Sequence, residues 1–230
     1  CHETRSTDQA MVKSTKGSSC KRRSRTEHRL SVKILLLGSG LQGRAALYDL
    51  AHSQDVTRVV VADDDIHHLS IAAKGLSTNK VTTVQLNARD HGKVASLMRS
   101  VQAVVVLLPP EFGVPIANLA VSHRIHYIDA YFTAAEHREL GAEAASRDIA
   151  ILTEFGLDPG IDLMLAGKAA KELDEVHQLD IYGAGIPDAE AANNPLSYKL
   201  SWTLAGVLKG YRDRPTRVVR DGNPVDIPSE

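Results

Sequence analysis

Six residues, Gly38-Ser39-Gly40-Leu41-Gln42-Gly43, have the types and spacing to hold a diphosphate. Each glycine answers a different demand. Gly38 permits a tight turn, Gly40 lets a pyrophosphate approach the backbone, and Gly43 lets a helix pack close to a strand. A helix opening at Leu41 then offers free N–H groups and a partial positive charge to the phosphates. A GxGxxG run is weak alone and gains weight between a buried strand and a helix. Residues 32–37 read as that strand and 41–51 as that helix, with Ala45, Ala46 and Leu50 facing inward.

Twenty residues after Gly43 stands Asp63, where a carboxylate bonds the adenosine ribose hydroxyls of a dinucleotide. Asp64 and Asp65 follow. A 2′-phosphate there would meet several negative charges and no neighbouring Arg. NAD is therefore the expected cofactor, with NADP the less favoured alternative. Asp64 and Asp65 also fit the cap and first turn of the next helix.

A second group lies along what reads as the carboxyl edge of the sheet, where ligands of open α/β sheets bind. Leu108, Pro109 and Pro110 close a fourth strand there and would pass the nicotinamide ribose, unless they form a simple turn. Asp129 ends the next strand, followed by Tyr131; its carboxylate could hold a substrate ammonium or cap a helix. The histidines lack metal-ligand spacing, so no metal is expected. GxSxG, HExxH and GxxxxGK[ST] motifs are absent.

The elements that must position these residues alternate. Strands are expected at 56–62, 81–86, 103–108, 127–129 and 149–153. Helices are expected at 66–76, at 91–99 capped by Asp90, at 116–123 and at 134–147. Such alternation means βαβ units and a doubly wound parallel sheet. The expected fold is α/β: a Rossmann domain over 31–154, then the beginning of an α+β substrate domain over 155–230. In the latter, a helix is expected at 161–173, a strand at 178–182, and a hairpin around Asp221-Gly222. That stretch is too small to close a core alone, which leads us to expect a chain continuing beyond Glu230.

Composition narrows the class. Hydrophobic residues make up 43% and charged residues 24%, an ordinary globular balance. No apolar run approaches the ~20 residues of a membrane span. Both cysteines, Cys1 and Cys20, lie in the polar first 30 residues, which excludes a disulfide framework in the folded part. A cytoplasmic location is expected, with no membrane or nucleic-acid partner. Residues 1–30 carry eight Lys/Arg against Glu3, Asp8 and Glu27, a net of +5. Lacking an apolar face, they read as a disordered basic tail outside the fold. A transit peptide is one reading of the segment, weakened by the same lack, and translated upstream sequence foreign to the fold is the favoured one.

Two further runs carry a family resemblance. Glu154-Phe155-Gly156-Leu157-Asp158-Pro159-Gly160-Ile161-Asp162 and Asn193-Asn194-Pro195-Leu196-Ser197-Tyr198-Lys199-Leu200-Ser201-Trp202 resemble the signatures of the saccharopine dehydrogenase-like family. Lysine 6-dehydrogenases are close relatives. The resemblance covers residues 32–230 and is specific for the superfamily, not for one substrate. It implies an NAD(P)-linked oxidoreductase acting on the CH–NH group of an amino acid of the saccharopine or lysine type. It also implies that Asp129, Tyr131, Gly156, Leu157, Asp158, Asn193, Asn194, Lys199 and Trp202 touch substrate. Asp129 and Lys199 are the candidates for handling the proton. A homodimer is expected. One departure stands out. Saccharopine reductases commonly carry Arg just after the Ser-Trp pair, whereas this chain has Thr203-Leu204-Ala205-Gly206. Loss of a bidentate Arg removes a directional carboxylate contact. From a different functional class, the competing reading is a non-catalytic NAD-binding regulatory or sensor module. The Asn193–Trp202 run counts against it, because a sensor needs no substrate cleft.

The tail makes a first prediction. Deleting residues 1–30 is expected to leave thermal stability and NADH affinity unchanged, measured by melting and fluorescence titration. A large loss of either would show that the segment packs on the fold.

Overall fold

The computed structural model describes residues 31–76, 79–195, 197, 199, 208, 212 and 216–228. The expected tail at 1–30 lies outside them. Six parallel strands form one sheet in the order β3-β2-β1-β4-β5-β6. They are β1 (Val32–Leu37), β2 (Val56–Asp63), β3 (Val81–Gln85), β4 (Ala103–Val106), β5 (His126–Asp129) and β6 (Ile151–Leu152). This is the strand order of the doubly wound Rossmann fold. The strand order reverses between β1 and β4, which makes the loops leaving those two strands the switch point where open α/β sheets bind ligands.

Helices cover both faces because β1 is apolar on both faces. Successive strand side chains point to opposite sides. Leu35 and Leu37 join Val104, Val106 and Tyr127 against α3 (His91–Met98) and α4 (Gly113–His123). Ile34 and Leu36 join Val59 and Val61 against α1 (Leu41–His52) and α2 (Ile66–Ala73). Asp90 caps α3 as expected, accepting from the Lys93 N–H at 3.1 Å. That bond comes first among the causes that hold its carboxyl below the usual carboxylate range.

Several expected boundaries move. The buried stripe of α1 is Gly43, Leu47 and Ala51, while Ala45 is exposed and Ala46 and Leu50 are half-buried. The reason is Gly43, whose closeness to β1 turns its own face inward. α4 begins at Gly113, earlier than expected, after a 3-10 turn at Pro110–Phe112. The expected helix at 134–147 is two, α5 (Ala135–Glu139) and α6 (Gly141–Ser146). The break falls at Leu140, beside Gly141, and glycine weakens helix interiors.

The chain divides into two compact units. One contains the sheet up to Asp129 and Ala134–Leu152; the other contains Ala130–Thr133 and the chain from Thr153 onward. The second holds α7 (Ile161–Lys171) and an antiparallel pair, β7 (Thr216–Arg220) and β8 (Asn223–Ile227). Asp221 and Gly222 join that pair with φ of 51° and 75°, as an Asp-Gly hairpin turn demands. Residues 178–182 form no strand. Leu179, Ile181 and Tyr182 are exposed, and no described strand pairs with them. Among the described residues, no helix is long and apolar enough to cross a membrane.

The shared core makes the second prediction. Leu35 has 0% exposure between the sheet and its helices. Leu35→Ala is expected to cost ~2–5 kcal/mol, read from the urea midpoint at constant slope. A cost below about 1 kcal/mol would mean that the site collapses around the cavity.

Candidate functional site

The glycine loop is built by close backbone approaches. Gly38 leaves β1 with φ of +98°, in the region that favours glycine, and donates its N–H to the Ala62 carbonyl at 2.8 Å. A Cβ on Gly38 would collide with the Leu107 carbonyl oxygen and lie 3.3 Å from Leu108 Cδ2. The loops after β1 and β4 therefore touch at the point where the strand order reverses. A Cβ on Gly43 would collide with the Gly38 carbonyl oxygen. Gly40 differs from both, because among the described residues nothing lies within 4 Å of where its Cβ would be. Among the described residues no side chain caps α1, and Leu41 and Gln42 are exposed at its first turn. Open space over Gly40, faced by an uncapped helix N-terminus, fits the pyrophosphate of a dinucleotide.

The three consecutive acids separate into different tasks. Asp63 is 8% exposed. Its Oδ2 accepts from the Ser39 N–H at 2.6 Å and from the Ser39 hydroxyl at 2.9 Å, and its Oδ1 accepts from the Asp65 N–H at 2.9 Å. Asp65 caps α2, accepting from the His67 N–H at 2.7 Å and the His68 N–H at 3.4 Å. The His67 bond leads the causes that lower its pKa. Asp64 precedes the cap, so it is neither the cap nor a first-turn residue. It is exposed, its carbonyl accepts from Gln85 Nε2 at 3.0 Å, and among the described residues no donor reaches its carboxylate.

At the carboxyl edge, β4 ends at Val106, two residues earlier than expected. Leu107 packs on the α1–α2 side of the sheet and Leu108 on the α3–α4 side, while Pro109 and Pro110 are exposed. Asp129 is 1% exposed, and the Tyr127 hydroxyl donates to its Oδ2 at 2.6 Å. The Tyr127 and His137 rings lie 5.7 Å apart. Gly113 stands beside all three: a Cβ there would meet Tyr127 Oη at 3.4 Å, His137 Cε1 at 3.5 Å and Asp129 Oδ2 at 3.7 Å. His137 Nδ1 accepts from the Ala134 N–H at 3.3 Å, and its buried Nε2 has no partner among the described residues. Sequence reasoning missed this cluster. Residues 127 and 129 share a strand face, which signals their bond. Nothing in the sequence brings His137 to them.

In the second unit, the Glu154–Asp162 run folds into a tight loop. The Gly156 N–H donates to the Pro159 carbonyl at 3.1 Å, the Asp162 N–H to the Leu157 carbonyl at 3.1 Å, and the Gly160 N–H to Asp162 Oδ1 at 2.7 Å. Gly160 has φ of +149°, and a side chain there would meet the Glu154 carbonyl oxygen at 2.6 Å. Leu157 and Asp158 are exposed on this loop. The Glu154 N–H donates to the Tyr131 carbonyl at 2.9 Å, joining the loop to the segment after β5. Asn193, Asn194 and Lys199 are exposed, and Asn194 Nδ2 donates to the Ala191 carbonyl at 3.3 Å. Trp202 and Ala205 lie outside the described residues. No group of three or more His, Cys, Asp or Glu among the described residues could hold a metal ion.

A six-stranded parallel sheet with this loop at its switch point defines a Rossmann nucleotide-binding protein. Two family models match it: the saccharopine dehydrogenase NADP binding domain over residues 34–152, and the saccharopine dehydrogenase C-terminal domain over 156–230. The chain belongs to the saccharopine dehydrogenase family of oxidoreductases. It is 29% identical to saccharopine dehydrogenase [NADP(+), L-glutamate-forming] of Saccharomyces cerevisiae, over 86% of this chain and 44% of that protein. It is 31% identical to alpha-aminoadipic semialdehyde synthase of Arabidopsis thaliana, over 77% of this chain and 17% of that protein. The apo structure of the Saccharomyces cerevisiae saccharopine dehydrogenase (L-Glu forming) superposes with a TM-score of 0.66 at 27% identity, covering 86% of this chain and 44% of the other. The chain thus spans less than half the length of these relatives.

The glycines make the third prediction. Gly40→Val is expected to leave the thermal midpoint within a few degrees of wild type and to abolish dinucleotide binding. Gly43→Val is expected to lower the midpoint sharply, because its Cβ meets backbone. A folded Gly40→Val protein that binds NADH normally would remove this loop as the phosphate site.

Proposed function

We propose that this chain forms the nucleotide-binding domain and part of the substrate domain of an NAD-linked oxidoreductase, acting on the CH–NH group of an amino acid of the saccharopine or lysine type. The observation that carries the proposal is the glycine loop at the switch point, open over Gly40, in a chain whose remainder matches the family's C-terminal domain. That second match favours an enzyme over a sensor. A bound nicotinamide supplies the hydride acceptor; the protein's part is to orient the substrate carbon, exclude water and manage one proton. Asp129 and Lys199 remain the candidates for the proton. Asp129 is held by Tyr127, and Lys199 is exposed.

The preference for NAD rests on Asp63, Asp64 and Asp65. The matched family domain is an NADP binding domain and the Saccharomyces cerevisiae saccharopine dehydrogenase is named for NADP(+), so this chain is proposed to differ from them in cofactor. The preference for a lysine-like amine over saccharopine rests on Ala205, where related reductases commonly carry Arg. A charge-assisted contact to a carboxylate is worth about 1.5–3 kcal/mol, or roughly ten- to a hundredfold in affinity.

The fourth prediction has two readings from fluorescence titration and steady-state kinetics. NADH is expected to bind more tightly than NADPH, and equal or tighter NADPH binding would overturn the cofactor assignment. A full-length version is expected to reduce NAD with lysine-like amines at least as well as with saccharopine. Ala205→Arg is expected to shift preference toward saccharopine. A strong wild-type preference for saccharopine, unmoved by the substitution, would place the carboxylate clamp elsewhere.

A further inference from the structure

The acid expected to read the adenosine ribose is Asp63, at the end of β2. A carboxylate offers about four lone-pair sites. In Asp63 three are taken by protein donors at 2.9 Å or less, and both bonds at Oδ2 come from Ser39 in the glycine loop. Its carboxylate is turned toward the phosphate loop and fastens that loop to the end of β2. Asp65 is spent on the first turn of α2. Asp64 stands between them, exposed, at the same carboxyl end of β2. Its carboxylate alone of the three has no donor among the described residues.

We infer that the two acids divide the work: Asp64 accepts from the adenosine ribose hydroxyls and discriminates against a 2′-phosphate, while Asp63 is a positioning residue that clamps the glycine loop. This rests on the nucleotide-binding reading given above. It assigns the cofactor choice to one exposed side chain, next to a buried acid that a motif search would select. The physical reason is orientation. A carboxylate whose Oδ2 carries two short bonds cannot swing outward without leaving the Ser39 N–H and hydroxyl unpaired inside the protein, which costs more than a new exposed bond returns. Asp64 meets a ligand with no such loss. A unit charge within a few ångströms of a phosphate at a protein surface is strong enough to set the preference between the two nucleotides.

The test uses the whole chain and separates the two roles by ratio and by magnitude. Dissociation constants for NADH, NADPH, ADP-ribose and 2′-phospho-ADP-ribose are measured for the wild type, D64S and D63N. D64S is expected to shift the NADPH-to-NADH preference toward NADPH by about tenfold or more, equivalent to ~1.4 kcal/mol, with the same shift between the two ADP-ribose probes. D63N is expected to weaken all four ligands by a common factor and leave the ratio unchanged. S39A removes only the hydroxyl bond to the same carboxylate. It is expected to do the same more mildly, and it reads the clamp if D63N melts below the assay temperature. A ratio that moves with D63N or S39A but not with D64S would overturn the assignment. The outcome is independent of which nucleotide the wild type prefers. Wild-type preference for NADPH defeats the NAD reading, while a ratio shift confined to D64S upholds the division of roles.

Discussion

The start of α1 lies so close to the end of β1 that a single methyl group on Gly43 would occupy the Gly38 carbonyl oxygen. Much else in the nucleotide-binding unit depends on that contact. It fixes the distance between helix and sheet on the α1 side, and it makes Gly43, Leu47 and Ala51 the buried stripe. It also leaves the first turn of α1 pointing at the open space over Gly40, where an anion gains both free N–H groups and the helix dipole. Gly38 meets the matching constraint from the other side, because the Leu107 carbonyl oxygen fills the place of its missing side chain. Two backbone approaches thus join three segments at the switch point of the sheet.

The loop so formed needs to be held, and the Asp63 carboxylate does so. A buried charge is costly unless donors surround it. Here the donors are two backbone N–H groups and one hydroxyl, contributed by the turn after β1 and the turn after β2. Because charge-assisted bonds are the strong ones, the same carboxylate that would be a liability in an apolar core rigidifies the site. Farther along the same edge, at the end of β5, the Tyr127 hydroxyl holds Asp129 beside Gly113.

The second unit has a different character. Its Glu154–Asp162 loop is closed by short backbone bonds, yet α7 buries none of its residues, and Met164 and Leu165 are 75% and 62% exposed. A helix draws most of its stability from the face it packs. The loop's order is therefore local, made by glycine conformations and hydrogen bonds over a few residues.

The sequence by itself determined the alternating elements, the three-glycine turn, the Asp90 cap and the Asp-Gly hairpin. Each depends on residues a few positions apart, so local chemistry is sufficient. Doubly buried strands were legible for the same reason, since an unbroken apolar run needs cover on two sides. Tertiary structure decided what no spacing records. Residues 178–182 have strand composition but no described partner, and a strand exists only in a ladder. Which face of α1 turns inward followed from the Gly43 contact, which buries Leu47 and Ala51 and leaves Ala46 and Leu50 half-buried. Asp63 was legible as a carboxylate at the end of β2, but the direction of its oxygens was not. That direction comes from Ser39, 24 positions earlier in the chain, and such a distant donor is placed only when the sheet assembles.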